Sequence, residues 1–164
     1  MLPQVTVLQA SETEKERVFE LHSEMFRDEI EERWGWDDQW QRNNFNEEWK
    51  RDAFAVVKRE DQIIGYTQIT VEQNKIQIAS IGLLPDFRKQ GLGSLLLEGI
   101  LREARKLNLP VELSVHLKNQ SALKLYRKFK FETIESQGKS ILMRWTQKSN
   151  KTVLSTPVAA PLPR

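Results

Sequence analysis

Hydrophobic positions recur along the chain with two different periods, and together they predict a mixture of strands and helices. Short apolar or alternating runs bounded by turn residues are typical of strands, whereas apolar residues three and four positions apart are typical of helices with one buried face. The first pattern predicts seven strands: Val5–Gln9, Ala53–Lys58, Ile63–Glu72, Ile76–Leu84, Val111–Val115, Phe131–Ile134 and Ser140–Trp145. The second predicts four helices: Thr13–Ile30, a shorter one from Asp37 or Asp38 to about Asn44, Ser94–Leu107 and residues 120–129.

The order of these elements restricts the fold class. The strand–helix–strand segment over residues 76–115 predicts a parallel strand pair joined by a right-handed crossover. Short turns near Asp61, Asn74 and Gly138 predict antiparallel neighbours elsewhere, so the chain is expected to be an α/β (α+β) protein. His22 lies on the apolar stripe of the first helix, which favours a histidine at the edge of the core over a catalyst.

Residues 81–94 carry the most chemical information in the sequence. An apolar run is followed by the basic pair Arg88 and Lys89, and Gly91 and Gly93 then lead into a leucine-rich helix. A glycine loop that opens a helix is a natural anion site, because backbone N–H groups point outward and the helix dipole adds partial positive charge. The segment therefore predicts a ligand that carries phosphate groups.

Two common phosphate-binding motifs do not fit this loop. A Walker A loop requires a lysine after its last glycine, whereas Ser94 follows Gly93 here. A dinucleotide fingerprint requires a third glycine where this chain has Leu96, and it opens the first strand–helix unit instead of lying in the middle of the chain.

Two motifs together resemble the GNAT superfamily, the Gcn5-related N-acetyltransferases. The run Arg88–Gly93 matches the pyrophosphate-loop pattern Arg/Gln-x-x-Gly-x-Gly/Ala, and Asn119, Ala122 and Tyr126 match the order and spacing of a second signature that follows a strand. The resemblance covers about residues 5–145. It implies a mixed, mostly antiparallel central sheet with helices on both faces and a splayed pair of parallel strands.

The resemblance implies acetyl-CoA, or another acyl-CoA, as co-substrate, bound where the parallel strands splay apart. Backbone groups near Leu83 and Leu84 would pair with the pantetheine arm as an added strand does. Asn119 would contact pantetheine or cap the helix that follows it. The pyrophosphate would lie on the glycine loop, whose implied binding residues are Arg88, Lys89, Gln90, Gly91, Leu92, Gly93 and Ser94.

The implied reaction is direct attack of an amine on the thioester, with Tyr126 as the general acid that protonates the departing thiolate. A phenol with a pKa of about 10 is protonated at neutral pH, so it can donate. The expected activity is acetyl transfer to a primary amine of a small molecule or peptide. Two alternatives stay open: a non-catalytic acyl-CoA-binding regulatory domain, and a transferase of longer acyl chains to a peptide.

The general base has no clear candidate in the sequence. Many relatives place a glutamate on the fourth or fifth strand, and the corresponding stretches here contain no carboxylate. Aromatic rings beside carboxylates can hold an ammonium group, although such rings also serve core packing. Candidates for orienting the acceptor, or for moving its proton by default, are Glu31, Trp34, Asp37, Glu72 and Ser80.

Composition narrows the remaining possibilities. The chain has no cysteine, which excludes disulfides and a cysteine nucleophile, and its two histidines lack carboxylates at metal-ligand spacing, so no metal is expected. The net charge of +2 is uneven, with −7 over residues 1–50 and +9 over residues 51–164, which suits a polyanionic donor on the basic part. The basic residues are scattered, which disfavours a nucleic-acid partner, and no apolar run approaches the roughly 20 residues of a membrane span.

We expect one GNAT acyltransferase domain over residues 1–145 and a flexible tail over residues 146–164, where three prolines occur among polar residues. The N-terminal residues are typical of a strand and not of a secretory signal, so a cytoplasmic enzyme is expected. Dimers are common among relatives, which makes a homodimer an expected assembly. One departure from the family is Lys130, where glycine usually follows the tyrosine helix, so that the helix must end without glycine's easy left-handed cap.

Overall fold

The computed structural model describes residues 4–147, which form seven strands and four α-helices. The strands follow the order β1-β2-β3-β4-β5-β7-β6 in a mostly antiparallel sheet with one parallel pair, β4 and β5, which confirms the predicted fold class. The strands are β1 (Thr6–Gln9), β2 (Ala53–Arg59), β3 (Gln62–Val71), β4 (Ile76–Leu83), β5 (Val111–His116), β6 (Glu132–Gln137) and β7 (Ser140–Trp145). The helices are α1 (Lys15–Trp34), α2 (Asp38–Arg51), α3 (Leu92–Leu107) and α4 (Gln120–Lys128).

The backbone divides into two units. The first comprises the described residues up to Thr70 together with Ile78–Leu96, and the second comprises Val71–Gln77 and the described residues from Leu97 onward. In the first unit, β1 and β3 pair with β2 in antiparallel register, for example Val7 with Val57 and Val56 with Tyr66. The unit therefore consists of a meander that carries helices.

Neighbouring residues of β2 point to opposite faces of the sheet in the first unit. Val56 packs in a cluster with Tyr66 and the buried residues Val18, Leu21 and Phe45 of α1 and α2. On the other face, Val57 packs with a second cluster that includes Ile64, Leu83, Leu92 and Leu96, the last two from the start of α3. Because strand residues alternate between faces, one meander supports helices on both of its sides.

The backbones of β3 and β4 approach each other closely at a glycine. A Cβ atom added to Gly65 would lie 2.4 Å from the carbonyl oxygen of Gly82, which is a backbone atom that cannot rotate away. A Cβ atom added to Gly82 would instead meet the Sδ atom of Met25 at 2.6 Å, and that atom belongs to a flexible side chain. Glycine at position 65 is therefore required by the spacing of the strands, whereas at position 82 it is required only by one side chain.

The second unit contains a buried ion cluster on β5. The carboxylate of Glu112 accepts hydrogen bonds from Lys75 Nζ at 3.1 Å and from Arg144 Nε at 2.8 Å. Its side chain is only 8% exposed, and the two cations hold its pKa below the ordinary value against the opposing effect of burial. Glu112 is therefore tied to the neighbouring strand and to the β3–β4 turn, and it serves structure at the start of β5.

Several boundaries differ from the predicted ones. Helix α2 continues to Arg51 and not to Asn44, because Phe45 is buried and Trp49 packs beside it at helical spacing. The loop before α3 is two residues shorter than predicted, since the helix begins at Leu92. Within residues 4–147, none of the helices is long and apolar enough to cross a bilayer. Most of the predicted tail, residues 148–164, lies outside the described part of the chain.

Candidate active site

The donor loop, residues Arg88–Ser94, is fastened at its start by hydrogen bonds from its own side chains. Arg88 Nε donates to the carbonyl oxygen of Leu83 at 2.8 Å, and Gln90 Nε2 donates to that of Asp86 at 3.1 Å. Arg88 thus ties the loop to the last residue of β4. The exposed positions of Arg88, Lys89 and Gln90 leave this segment open to a ligand from solvent.

Two left-handed residues turn the donor loop into α3. The φ angles of Lys89 and Gly91 are 60° and 83°, a region that costs an L-residue about 1–2 kcal/mol but that glycine adopts freely. Helix α3 begins at Leu92, and the first N–H groups of a helix lack intrahelical acceptors. Backbone N–H groups, a helix N-terminus and two cations form a donor set that fits a pyrophosphate.

The backbone groups expected to pair with pantetheine are partly engaged. Leu84 N–H donates to the carbonyl oxygen of Ile64 at 2.8 Å, and the Leu84 carbonyl oxygen accepts from Phe87 N–H at 2.9 Å. The Leu83 carbonyl oxygen already accepts from Arg88, although a carbonyl oxygen has a second lone pair. Both backbone groups of Leu84 are therefore already hydrogen-bonded. Of the two residues expected to pair with pantetheine, only Leu83 keeps backbone capacity for that pairing.

Asn119 begins α4 as its N-cap. Its Oδ1 atom accepts a hydrogen bond from Ala122 N–H at 3.2 Å, and its own N–H donates to the carbonyl oxygen of His116 at 2.9 Å. Capping uses the acceptor end of the side-chain amide, while ligand contact would use its donor end. The two roles that the sequence left open for Asn119 are therefore compatible.

Tyr126 lies on the buried side of α4, with its ring 5.6 Å from that of Phe131 and only 6% of its surface exposed. Burial raises the pKa of the Tyr126 phenol to about 12. The hydroxyl is therefore protonated at neutral pH, which is the state that a general acid requires.

The end of α4 is stabilised without glycine. Lys130 takes the left-handed conformation with a φ angle of 72°, and Phe131 N–H donates to the carbonyl oxygen of Tyr126 at 3.0 Å. The chain thus keeps the usual helix-ending geometry with a lysine in the position that glycine favours. The helix thus ends without glycine, and the local adjustment is a lysine in the left-handed conformation.

Trp34 and Asp37, which were predicted to contact the acceptor, already make contacts within the protein. Trp34 is 71% exposed, and the guanidinium of Arg33 already lies 4.4 Å from its ring centroid. Asp37 is the N-cap of α2, since its Oδ1 atom accepts from Trp40 N–H at 2.9 Å. Trp34 is therefore exposed but already in contact with Arg33, and Asp37 caps the helix that follows it.

The other predicted acceptor residues lie on three different elements of the chain. Glu31 is exposed on the last turn of α1, and Glu72 is exposed in the β3–β4 turn of the second unit. Ser80 differs from both, because it lies half-buried on β4 in the first unit.

A buried polar pair, His22 and Tyr66, was missed by sequence reasoning. Tyr66 is fully buried on β3, and its hydroxyl lies 3.1 Å from Nδ1 of His22 on α1. The signal was present in part, since His22 is the polar residue on an otherwise apolar stripe. Its partner could not be identified, because Tyr66 lies 44 residues away in the sequence.

Comparisons with known proteins agree with this geometry. Residues 15–131 match the model of the acetyltransferase (GNAT) family. A Bacillus subtilis protein provisionally named as a [ribosomal protein bS18]-alanine N-acetyltransferase is 30% identical over 98 residues, covering 55% of this chain and 62% of that protein. The N-alpha-acetyltransferase of Sulfolobus acidocaldarius is 31% identical over 97 residues, covering 51% of this chain and 58% of that protein.

A solved structure extends the likeness to the fold. The paia N-acetyltransferase of Thermoplasma acidophilum, determined in complex with coenzyme A, has a TM-score of 0.72 at 16% identity, covering 88% of this chain and 99% of that one. The match to the two curated relatives is shorter, since the chain spans about three fifths of their length.

Proposed function

This chain belongs to the acetyltransferase (GNAT) family, and we propose that it transfers an acetyl group from acetyl-CoA to a primary amine of a peptide or small molecule. Among these acceptors we favour the α-amino group of a peptide or protein. One curated relative is named for N-acetylation of an alanine of a ribosomal protein, and the other for N-alpha-acetylation.

The donor loop is the observation that carries this proposal. Its left-handed turn at Gly91 brings backbone N–H groups and the start of α3 to one place, beside the exposed cations of Arg88 and Lys89. A coenzyme A pyrophosphate is a ligand whose charge and size suit such a site. In acetyl-CoA, the thioester at the other end of the molecule supplies the acetyl group.

The proposed reaction is direct transfer without a covalent enzyme intermediate. The neutral amine attacks the thioester carbonyl carbon, a C–N bond forms, and the C–S bond breaks as the tetrahedral intermediate collapses. The thiolate that leaves receives a proton from Tyr126, whose pKa of about 12 keeps it protonated at neutral pH. The attacking nitrogen releases one proton to solvent, and Tyr126 regains one from solvent. This role for Tyr126 rests on the match of Asn119, Ala122 and Tyr126 to the family spacing.

Ligand-induced thermal stabilisation followed by a release assay tests the proposal. Acetyl-CoA, CoA and a medium-chain acyl-CoA are titrated separately, because a ligand that binds only the folded state raises Tm. Free thiol is then measured with acetyl-CoA and peptides that begin with alanine, against the same peptides with blocked N-termini. Stabilisation together with thiol release on the open peptides alone is expected.

The other possible results of these two assays favour the alternative functions or overturn the proposal. Stabilisation without release on any amine favours the acyl-CoA-binding regulatory alternative, and a preference for the medium-chain donor favours transfer of longer chains. No stabilisation by any CoA species overturns the proposal.

A further inference from the structure

We propose that His116 is a positioning residue, whose Nδ1 atom fixes the turn that places Asn119 and, through α4, Tyr126 for acetyl transfer. The inference rests on the proposed function, since Asn119 and Tyr126 act in that same reaction. It gives a role to a buried histidine, only 7% exposed, that the sequence did not connect with the site.

His116 is the last residue of β5, and a two-residue turn links it to Asn119 at the start of α4. Leu117 N–H donates to the carbonyl oxygen of Lys139 at 2.8 Å. Lys118 N–H donates to His116 Nδ1 at 3.0 Å, and Asn119 N–H donates to the His116 carbonyl oxygen at 2.9 Å. Of these three bonds, the one to Nδ1 alone depends on the type of residue. The imidazole thus acts as Asn and Asp side chains act in turns, accepting from the N–H two residues on.

The two ring nitrogens of His116 have different surroundings. Because Nδ1 accepts a hydrogen bond, it carries no proton, and in the neutral ring the proton is on Nε2. Within residues 4–147, Nε2 has no hydrogen-bond partner, and neither has the buried hydroxyl of Ser140, the residue paired with His116 on β7. A substitution that keeps an acceptor at one nitrogen position and not at the other can therefore separate their roles.

The turn determines where α4 begins, and α4 connects the two site residues. Asn119 Oδ1 accepts from Ala122 N–H at 3.2 Å, and its carbonyl oxygen accepts from Leu123 N–H at 3.0 Å. Its donor end is thereby oriented by the helix that it caps. Tyr126 lies about two turns further along the same helix, so a change in the turn displaces both residues together. A displacement of about 1 Å in a catalytic site can lower the rate about 100-fold.

Replacement of His116 by Asn and by Gln tests which nitrogen matters. Asn places its Oδ1 oxygen at about the position of the histidine Nδ1, whereas the polar end of Gln lies one bond further out, near Nε2. In His116→Gln, kcat/KM for acetyl-CoA with an alanine-initiated peptide should fall about tenfold, through both a lower kcat and a higher KM. In His116→Asn, it should stay within about twofold of the wild-type value.

Amide hydrogen exchange measured by NMR gives a readout that does not depend on activity. The N–H group of Lys118 is protected by its bond to Nδ1 in the wild type. It should exchange faster in His116→Gln than in the wild type, and His116→Asn should restore its protection. The same variants thus report on the turn and on the reaction separately.

Two further variants control for packing. Ser140→Ala removes a buried hydroxyl next to His116 that makes no hydrogen bond within the described residues, so its kinetics and exchange should be those of the wild type. If His116→Gln is poorly folded, as judged by its Tm, His116→Leu replaces it. Leucine also lacks an acceptor but adds no buried polar group.

The outcomes distinguish this inference from the proposed function. Rescue by Gln and not by Asn would assign the role to Nε2 and overturn the proposal. Wild-type kcat and KM in both His116→Gln and His116→Leu, with only a lower Tm, would also overturn it, because His116 would then serve stability alone. If the wild type releases no thiol with any amine, the proposed function has failed, and the role of His116 in it fails too.

Discussion

The donor loop and the buried pair of His22 and Tyr66 are built from different parts of the chain. The donor loop presents backbone N–H groups, and its side chains mainly hold the turn, as Arg88 does when it donates to Leu83. The His22–Tyr66 pair consists of side chains alone, and the backbones of α1 and β3 only space them. A site made of backbone depends on local conformation, whereas a site made of side chains depends on how distant segments pack.

This difference has a consequence for how each site fails. The donor loop loses function when a substituted residue cannot adopt the φ angle of the turn or adds a negative charge beside the phosphate site. Neighbouring residues cannot restore the conformation or remove that charge. A buried hydrogen-bonded pair is damaged by the loss of either member, because the other group then loses its partner. The predictions that follow test these two modes of failure in order of expected size.

The largest effect is expected from Gly91→Glu. The substitution places a side chain on a residue with a φ angle of 83° and a carboxylate where a pyrophosphate should bind. Like charges placed together in an interface cost several kcal/mol, so the Kd for acetyl-CoA measured by calorimetry should rise about 100-fold or more.

Gly138→Glu is the matched control for Gly91→Glu. Gly138 also has a positive φ angle, 74°, and it lies in open space in the β6–β7 turn. The backbone strain is therefore similar while the phosphate site is intact, and the Kd should be that of the wild type. Equal Kd values for both variants would show that the donor loop does not bind the pyrophosphate.

The second effect is expected from Tyr126→Phe. The ring keeps its packing against Phe131, but the proton donor for the thiolate is lost. General acid catalysis contributes about 100-fold or more, so kcat should fall by that factor while the Kd for acetyl-CoA stays unchanged. An unchanged kcat in steady-state assays would remove Tyr126 from the mechanism.

A smaller effect concerns the ionisation of the two tyrosines of the chain, Tyr66 and Tyr126. Burial raises the pKa of both, that of Tyr126 to about 12, so the folded protein should show little phenolate absorbance at about pH 10, where a free phenol is half ionised. Because the unfolded chain releases these protons first, the free energy of unfolding should fall as the pH rises from about 10 through about 12.

Single substitutions assign these ionisations. Each of Tyr66→Phe and Tyr126→Phe should remove one of the two high-pH steps in the absorbance titration. A step near the pKa of a free phenol in the folded protein would contradict the burial of that tyrosine.

The smallest effect is expected from Lys130→Gly. Relief of a left-handed lysine should raise the free energy of unfolding by about 1 kcal/mol without changing kcat, as measured by urea unfolding and by the release assay. Lys128→Gly, two residues earlier within α4, is the control, and it should lower stability by about 1 kcal/mol. Destabilisation by both substitutions would mean that the helix end does not store strain.

Local features of the fold could be predicted from the sequence, and features set by pairing could not. Both ends of β2, β3 and β4 were predicted to within one residue, because turn residues and alternation mark these strands locally. Strand β6 was predicted at Phe131–Ile134 but lies at Glu132–Gln137, because it is exposed throughout and its extent is set by pairing with β7.

The same division applies to the candidate site. The turn at Gly91 and the cap at Asn119 could be read from adjacent residues, and the structure has both. The bond between His22 and Tyr66 joins two segments whose register depends on the packing of α1 against the sheet, which no local pattern encodes. Trp34 and Asp37 were sound candidates by residue type, but Arg33 and the α2 cap engage them.

The close approach of β3 and β4 at Gly65 also limits which substitutions the protein can accept. Any side chain at position 65 would meet a backbone carbonyl, so a saturation library should recover only glycine there, whereas alanine at position 82 should survive once Met25 rotates. Substitutions that change side-chain volume would therefore leave the strand scaffold untouched. They are tolerated instead on α1 and α2, where Met25 and the aromatic side chains can exchange volume one residue at a time.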